Sequence, residues 1–377
     1  MKHLSILIKP ASGLCNMRCG YCFYHDLLTH NREISKKIMT PKTAQTLIDR
    51  AFEEAEESIS FAFQGGEPTL AGLEFFRQFV AEVEVRKEEN PDISVSFSIQ
   101  TNGFGVDEKW CNFFGKHRFL VGLSLDGYRE LHDTNRRDIH GKPSFDRIAA
   151  TYKLLCKKGV ETNILCVVTG EAARQGALVY KSLKNMKCRY IQFIPCLDPI
   201  HMPRGRSSFS LQPKVYAKFL KSVFDLWYQD WCDGNYHSIR LFDDYIYLAM
   251  GITPSTCASS GMCGRYAVVE SDGSVYPCDF YVTTEWRLGS ILESSFGELT
   301  NGGVSEKFIR DSEERPLECN ECLYNRICRG GCKRDWIYTE MGVQNYYCQT
   351  YKEILGYAQE RIYKIARAEW RARGRSD

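Results

Sequence analysis

Three thiols, Cys15, Cys19 and Cys22, fall within eight residues at the spacing C-x3-C-x2-C, just after the apolar run Leu4 to Ile8. On a loop leaving a strand, three thiolates so spaced can wrap one corner of an iron-sulfur cube and leave the fourth iron open to a cofactor. The same residues also permit a zinc site, because His25 follows Cys22 by three positions and would complete a Cys3His set. Eight more cysteines lie downstream: Cys257, Cys263, Cys278, the run Cys319-x2-Cys322-x5-Cys328-x3-Cys332, and Cys348. Eight ligands make two complete four-cysteine sites, for iron-sulfur clusters or for a pair of zinc ribbons.

The six cysteines that remain of the 17 are Cys111, Cys156, Cys166, Cys188, Cys196 and Cys232. Most sit within strand or helix patterns and read as small buried hydrophobes, with Cys196 set apart by its place at a strand end. Gly65-Gly66-Glu67-Pro68 follows a second apolar run. Alone it reads as a tight turn; near a cysteine loop it gains meaning, because glycine lets the backbone approach a ligand closely.

The elements that must position these groups alternate. Apolar runs at Leu4 to Ile8, Ile59 to Phe63, Val95 to Gln100, Leu120 to Leu125, Thr162 to Val168 and Tyr190 to Ile194 predict strands. Helical patterns separate them at Pro41 to Glu57, Leu73 to Asn90, Asp107 to Lys116, Phe145 to Lys158 and Ala172 to Asn185. Strands joined by helical crossovers pair in parallel, and six such units fall short of the eight of a closed barrel. The expected fold class is α/β, a partial (β/α)6 barrel open on one side, followed by a cysteine-rich domain. Chemistry in such folds gathers at the carboxyl ends of the strands, where the cysteine loop, Gln64 to Thr69, Gln100 to Gly103, Ser124 to Gly127 and Cys196 to Pro199 all lie. Residues 200–212 read as a linker and Lys214 to Asp233 as an amphipathic helix. Tyr351 to Arg375 reads as a charged helix with a solvated face. The domain boundaries expected are 1–235, 236–350 and 351–377.

Forty-nine basic against 47 acidic side chains give a net charge of +2, which favours neither nucleic acid nor a membrane surface as partner. The amino-terminal apolar run is too short for a signal peptide, and no stretch approaches the roughly 20 apolar residues that span a bilayer. The expectation is a cytoplasmic protein whose many thiols stay reduced and bind metal.

The cysteine loop, with the aromatic Tyr21 before its third thiol, resembles the signature of radical S-adenosylmethionine (radical SAM) enzymes, and Gly65-Gly66-Glu67-Pro68 resembles the GGEP motif that meets the cofactor's amino group there. The later cysteines resemble the SPASM domain, a twin-cluster extension. By that resemblance Cys257, Cys263, Cys278 and Cys332 would hold one 4Fe-4S cluster, and Cys319, Cys322, Cys328 and Cys348 another. A narrower likeness covers nearly the whole chain. Phe61 to Gly72, Leu123 to Gly127, Asn163 to Val168 and Asp272 to Tyr281 resemble anaerobic sulfatase-maturating enzymes, which oxidise a Cys or Ser of a sulfatase to formylglycine. The resemblance implies three 4Fe-4S clusters and S-adenosylmethionine as cofactors, and Tyr21, Gly66, Ser124, Arg136 and the Leu197 backbone as cofactor contacts. It further implies Gln64 and Gln100 on the substrate side, Asp279 as catalytic base, a sulfatase polypeptide as substrate, and an electron donor such as flavodoxin or ferredoxin.

Two other readings compete. A SPASM peptide cyclase making thioether or carbon crosslinks often carries a leader-binding domain before its first cluster motif, and only 14 residues precede Cys15. A zinc-stabilised binding protein is the alternative of another class, and iron analysis separates it.

Overall fold

The computed structural model describes residues 1–30, 37–200, 202–340 and 342–374. The chain forms two compact units, one of Met1–Leu125, His132–Asn163 and Arg265–Phe308, the other of Asp126–Leu131, Ile164–Gly264 and Ile309–Asp377.

In the first unit, strands β1 (His3–Ile8), β2 (Ser58–Phe63), β3 (Ser94–Thr101) and β4 (Leu120–Ser124) pair in parallel in that order. Each lies within a residue or two of the apolar run that predicts it. In the second unit β5 (Thr162–Val168), which enters it at Ile164, pairs with β6 (Tyr190–Pro195), and β6 with the short β7 (Ser238–Ile239), again in parallel.

The first unit has more sheet than the six apolar runs suggest. Strand β8 (Ala267–Val269) pairs in parallel with β1, matching Ile6 to Ala267 and Ile8 to Val269. The chain then turns at Gly273 (φ 88°), returns antiparallel as β9 (Ser274–Tyr276) and ends in β10 (Gly289–Ser290). So β1 is flanked on both sides, and the chain near residue 270 lies at the same end of the sheet as the cysteine loop.

Helix Pro41–Glu54 stops three residues before its predicted end, because Ala55 is extended and the amides of Glu56 and Glu57 bond back to the carbonyls of Met1 and Lys2. The pattern Ala172 to Asn185 is two helices, Gly170–Ala173 and Gly176–Asn185. Gly176 permits the close approach of the second, since a Cβ there would sit 2.6 Å from Ser222 Oγ and 2.9 Å from the Phe219 ring. The long helices Pro213–Cys232 and Cys348–Ala372 match their predicted counterparts to within a few residues; Arg375 and His201, within predicted segments, lie outside the described residues. Among the described residues no helix is long and apolar enough to cross a membrane.

Candidate active site

The cysteine loop leaves the carboxyl end of β1 and is anchored through its backbone. Arg18 N donates to Arg137 O (2.8 Å), Gly20 N to Asn135 O (2.9 Å) and Cys22 N to Cys19 O (3.1 Å). This docking sets Arg136 beside the loop: its guanidinium lies 4.0 Å from Cys19 Sγ and 5.5 Å from the centre of the buried Tyr21 ring. Two of the predicted cofactor contacts thus stack on each other next to the thiols. Burial pushes the Cys15 thiol up to about 12 and raises Cys22 as well, with Cys19 and Cys22 close enough to Cys15 to raise it further. Thiols held this way are protonated without metal and give up protons on binding it.

The Gly-Gly-Glu-Pro segment ties three strand ends to that loop. Gly66 N donates to Ser12 O (2.7 Å) and Glu67 N to Leu14 O (2.8 Å). Fully buried Glu67 accepts from the Thr69 and Thr101 hydroxyls (2.6 and 2.7 Å) and from the Thr69 and Asn102 amides (3.1 and 2.7 Å). Burial raises its carboxyl, and those four donors oppose that shift. Asn102 then donates to Asn16 Oδ1 (2.8 Å), inside the cysteine loop. A Cβ on Gly66 would lie 2.2 Å from Leu14 O, closer than real Cβ atoms come. Gly66→Ala is therefore expected to displace the cysteine loop, lowering iron content and S-adenosylmethionine affinity together; iron analysis and equilibrium dialysis on the anaerobic variant check this.

Asp279 opens the short helical turn Asp279–Tyr281 that follows β9. It is 7% exposed, and its carboxylate has three partners. Lys9 Nζ is 2.8 Å from Oδ1, Gln64 Nε2 donates to Oδ2 (3.0 Å), and the Tyr24 hydroxyl donates to Oδ2. Gln64 also donates to the Tyr24 oxygen (2.7 Å). Lys9 reaches Asp279 because parallel pairing of β1 and β8 brings their ends together; the same pairing puts Glu270 Oε1 3.0 Å from Lys9 Nζ, and the Ser12 hydroxyl bonds Glu270 Oε2. Lys9 is 2% exposed. Burial alone would lower its pKa, but the Asp279 and Glu270 carboxylates more than offset that and hold it firmly charged. Tyr24 is raised by burial and by the same Asp279 carboxylate, so it serves as a donor. Its helix, Phe23–His30, is set by Leu27 and Phe23 packing on Leu7, Val268, Tyr276 and Val282.

The later thiols divide between the units. Cys319, Cys322, Cys328 and Cys348 line one cavity of about 260 Å³ in the second unit. Burial raises all of these that shift, Cys328 to about 12. Cys257, Cys263 and Cys332 line a second, smaller cavity there, while Cys278 belongs to the first unit, next to Asp279. Helix Arg240–Ala249 presents buried Asp244 to the start of the Cys257 segment, accepting from Ser255 N (2.7 Å) and Thr256 Oγ1 (2.8 Å). Thiolates on one zinc ion sit about 3.8 Å apart, from a Zn–S bond near 2.3 Å. Among the described residues no three His, Cys, Asp or Glu side chains converge closely enough for a single ion. The 260 Å³ cavity ringed by Cys319, Cys322, Cys328 and Cys348 fits a multi-iron cluster better than one ion.

Residues 10–176 match the Radical SAM superfamily and residues 257–323 an iron-sulfur cluster-binding domain, SPASM. A cysteine-type anaerobic sulfatase-maturating enzyme of Clostridium novyi (strain NT) is 48% identical over 89% of this chain and 89% of its own length. Its counterpart in Clostridium perfringens is 45% identical over 97% of this chain and 99% of its own. The chain belongs to the anaerobic sulfatase-maturating enzymes. A solved structure, native anSMEcpe with bound AdoMet and Cp18Cys peptide, superposes with a TM-score of 0.92 at 44% identity, covering 97% of this chain and 99% of that one. The fold class is therefore the partial radical SAM barrel with a C-terminal SPASM domain, and the cofactors of this maturase are 4Fe-4S clusters and S-adenosylmethionine.

Of the other predicted contacts in the maturase, Ser124 is buried at the end of β4, Gln100 is half-buried on β3, and Leu197 is half-buried two residues past β6. Lys9, Tyr24 and Glu270 are the polar groups that sequence reasoning missed. Only the position of Lys9, directly after an apolar strand and before Pro10, marks it as unusual.

Proposed function

We propose that this maturase oxidises the β carbon of one cysteine in a sulfatase polypeptide to give Cα-formylglycine, with Asp279 as the base. The observation that carries this reading is the Asp279 carboxylate, buried yet fixed by Lys9, Tyr24 and Gln64, and adjacent in sequence to the thiol of Cys278. Cys15, Cys19 and Cys22 hold the site cluster; Tyr21, Gly66, Ser124, Arg136 and the Leu197 backbone orient S-adenosylmethionine. When bound, these two supply the abstraction of a hydrogen atom from the target side chain. Asp279 takes the thiol proton, while Lys9 balances the carboxylate's charge and Tyr24 and Gln64 fix its oxygens. Gln64 and Gln100 face the substrate. Cys257, Cys263, Cys278 and Cys332 hold one auxiliary cluster and Cys319, Cys322, Cys328 and Cys348 the other; the first, beside Asp279 in sequence, puts proton and electron removal together.

In this reading residues 1–235 carry the cofactor site, 236–350 the auxiliary clusters and 351–377 a terminal helix, the enzyme works in a reducing cytoplasm, and flavodoxin or ferredoxin reduces it. Cysteine as target follows from identity: the cysteine-type relatives are 44–48% identical to this chain, the serine-type ones 30–31%. The test is anaerobic incubation of matched Cys and Ser sulfatase-motif peptides with reconstituted enzyme, reductant and S-adenosylmethionine, read by mass spectrometry. The Cys peptide is expected to gain the aldehyde faster. Crosslinked peptide without aldehyde would overturn the assignment.

A further inference from the structure

We propose that Arg204 is a positioning residue for S-adenosylmethionine: its ion pair with Asp335 braces the loop after β6 against the segment running from Cys332 to Cys348, so the Leu197 backbone is placed by that segment. The inference rests on the reading that the Leu197 backbone meets the cofactor. Arg204 Nη2 lies 2.6 Å from Asp335 Oδ1, both side chains being less than a tenth exposed. Among the described residues its Nε and Nη1 make no hydrogen bond, although Asp198 Oδ2 is 3.9 Å from Nη1, and Asp335 is the carboxylate that meets the group most closely. The guanidinium also stacks 5.1 Å from the Tyr346 ring centre and 5.6 Å from that of Tyr347. Arginine suits such a place because its planar fork pairs with a carboxylate and stacks on aromatic faces at once.

The tie is reciprocal. Arg334 Nη2 donates to Asp198 O (2.9 Å), one residue past Leu197. Asp198 in turn closes its own loop, accepting from Gly205 N (2.9 Å) and from the Ser210 hydroxyl. At the other end Asp335 N donates to Cys332 O (2.9 Å) and Tyr346 N to Asp335 O (2.8 Å), at the base of the hairpin Trp336–Thr339 and Gly342–Asn345. Cys348 begins the next helix two residues past Tyr346. Each partner segment thus gives one arginine, Arg204 meeting a carboxylate and Arg334 a main-chain carbonyl, and a shift at Cys332 or Tyr346 is expected to move Asp198, beside Leu197.

The test uses the three-cluster enzyme. Arg204→Met, with its iron retained, is expected to weaken S-adenosylmethionine binding about 5- to 150-fold, the usual span of a coupling between two sites. The KM for the cofactor rises with it, kcat at saturating cofactor changes little, and amides in residues 202–212 exchange faster. Arg204→Lys, which keeps the charge without the fork, recovers part of the affinity. If Arg204→Met does not fold, the double variant Arg204→Met with Asp335→Asn, which buries no lone charge, carries the same expectation. Unchanged affinity and exchange in whichever variant folds would overturn the clamp. Ser124→Ala separates the two claims: if it weakens binding while Arg204→Met does not, the clamp alone fails, and if neither variant weakens it, the cofactor assignment fails and the clamp with it.

Discussion

Replacing Cys15, Cys19 and Cys22 together by alanine is expected to remove about four of about twelve irons and to abolish formation of 5′-deoxyadenosine. The effect is all-or-none, because all three thiols of the loop are removed at once. The loop itself should persist, since Arg18 and Gly20 hold it through backbone amides and Gly66 and Glu67 hold the chain before it. The variant should therefore keep both auxiliary clusters and its fold. Iron and sulfide analysis beside chromatographic measurement of 5′-deoxyadenosine reads both outcomes. Retained cofactor cleavage would place the cofactor's cluster elsewhere, and loss of all the iron would contradict a loop that persists apart from the auxiliary clusters.

Asp279→Asn is the second large effect, expected to lower formylglycine yield about 10²- to 10⁴-fold, the usual worth of a general base. S-adenosylmethionine cleavage should continue, because the groups around the cysteine loop are untouched. The asparagine is nearly isosteric: with its oxygen at the Oδ2 position it still accepts from Tyr24 and Gln64, and its NH2 then faces Lys9, which keeps Glu270 as its counter-ion 3.0 Å away. The main loss expected is that of the base. A free thiol ionises near pH 8.5, so residual activity of the variant on a Cys peptide should climb as pH rises toward about 8.5, as the thiolate forms unaided. A serine hydroxyl has no such route, and its peptide should remain unconverted across that range. Wild-type rates on both peptides would show that the buried Asp279 is only a structural cap.

The parts of this site that were legible in the sequence are those written in local pattern. Six apolar runs match strands to within a residue or two, because their apolar residues recur at least at every second position, as a buried strand face demands. The thiols were legible by spacing, whereas Asp279, one acidic residue in a turn, stood out only by family resemblance. Lys9 and Glu270 were not legible, because their meaning depends on a pairing between β1 and β8 that spans most of the chain and involves a three-residue strand. A lysine after a strand reads as solvated; here the facing strand makes it the buried partner of the Asp279 carboxylate. Gly66 marks a close approach to a ligand in the sequence, and its missing Cβ also answers to the Leu14 carbonyl. Arg204 and Asp335 sit in segments that read as linker and cysteine-rich loop, and only their meeting gives them a role.

The central claim is that a hydrogen atom leaves the target's β carbon for the cofactor while Asp279 handles a separate proton. The direct measurement is a sulfatase-motif peptide with deuterium on the β carbon of its cysteine, incubated anaerobically with the enzyme, reductant and S-adenosylmethionine. Deuterium appearing in 5′-deoxyadenosine, matched to aldehyde in the peptide, is the predicted result; aldehyde formed while 5′-deoxyadenosine stays unlabelled would contradict it.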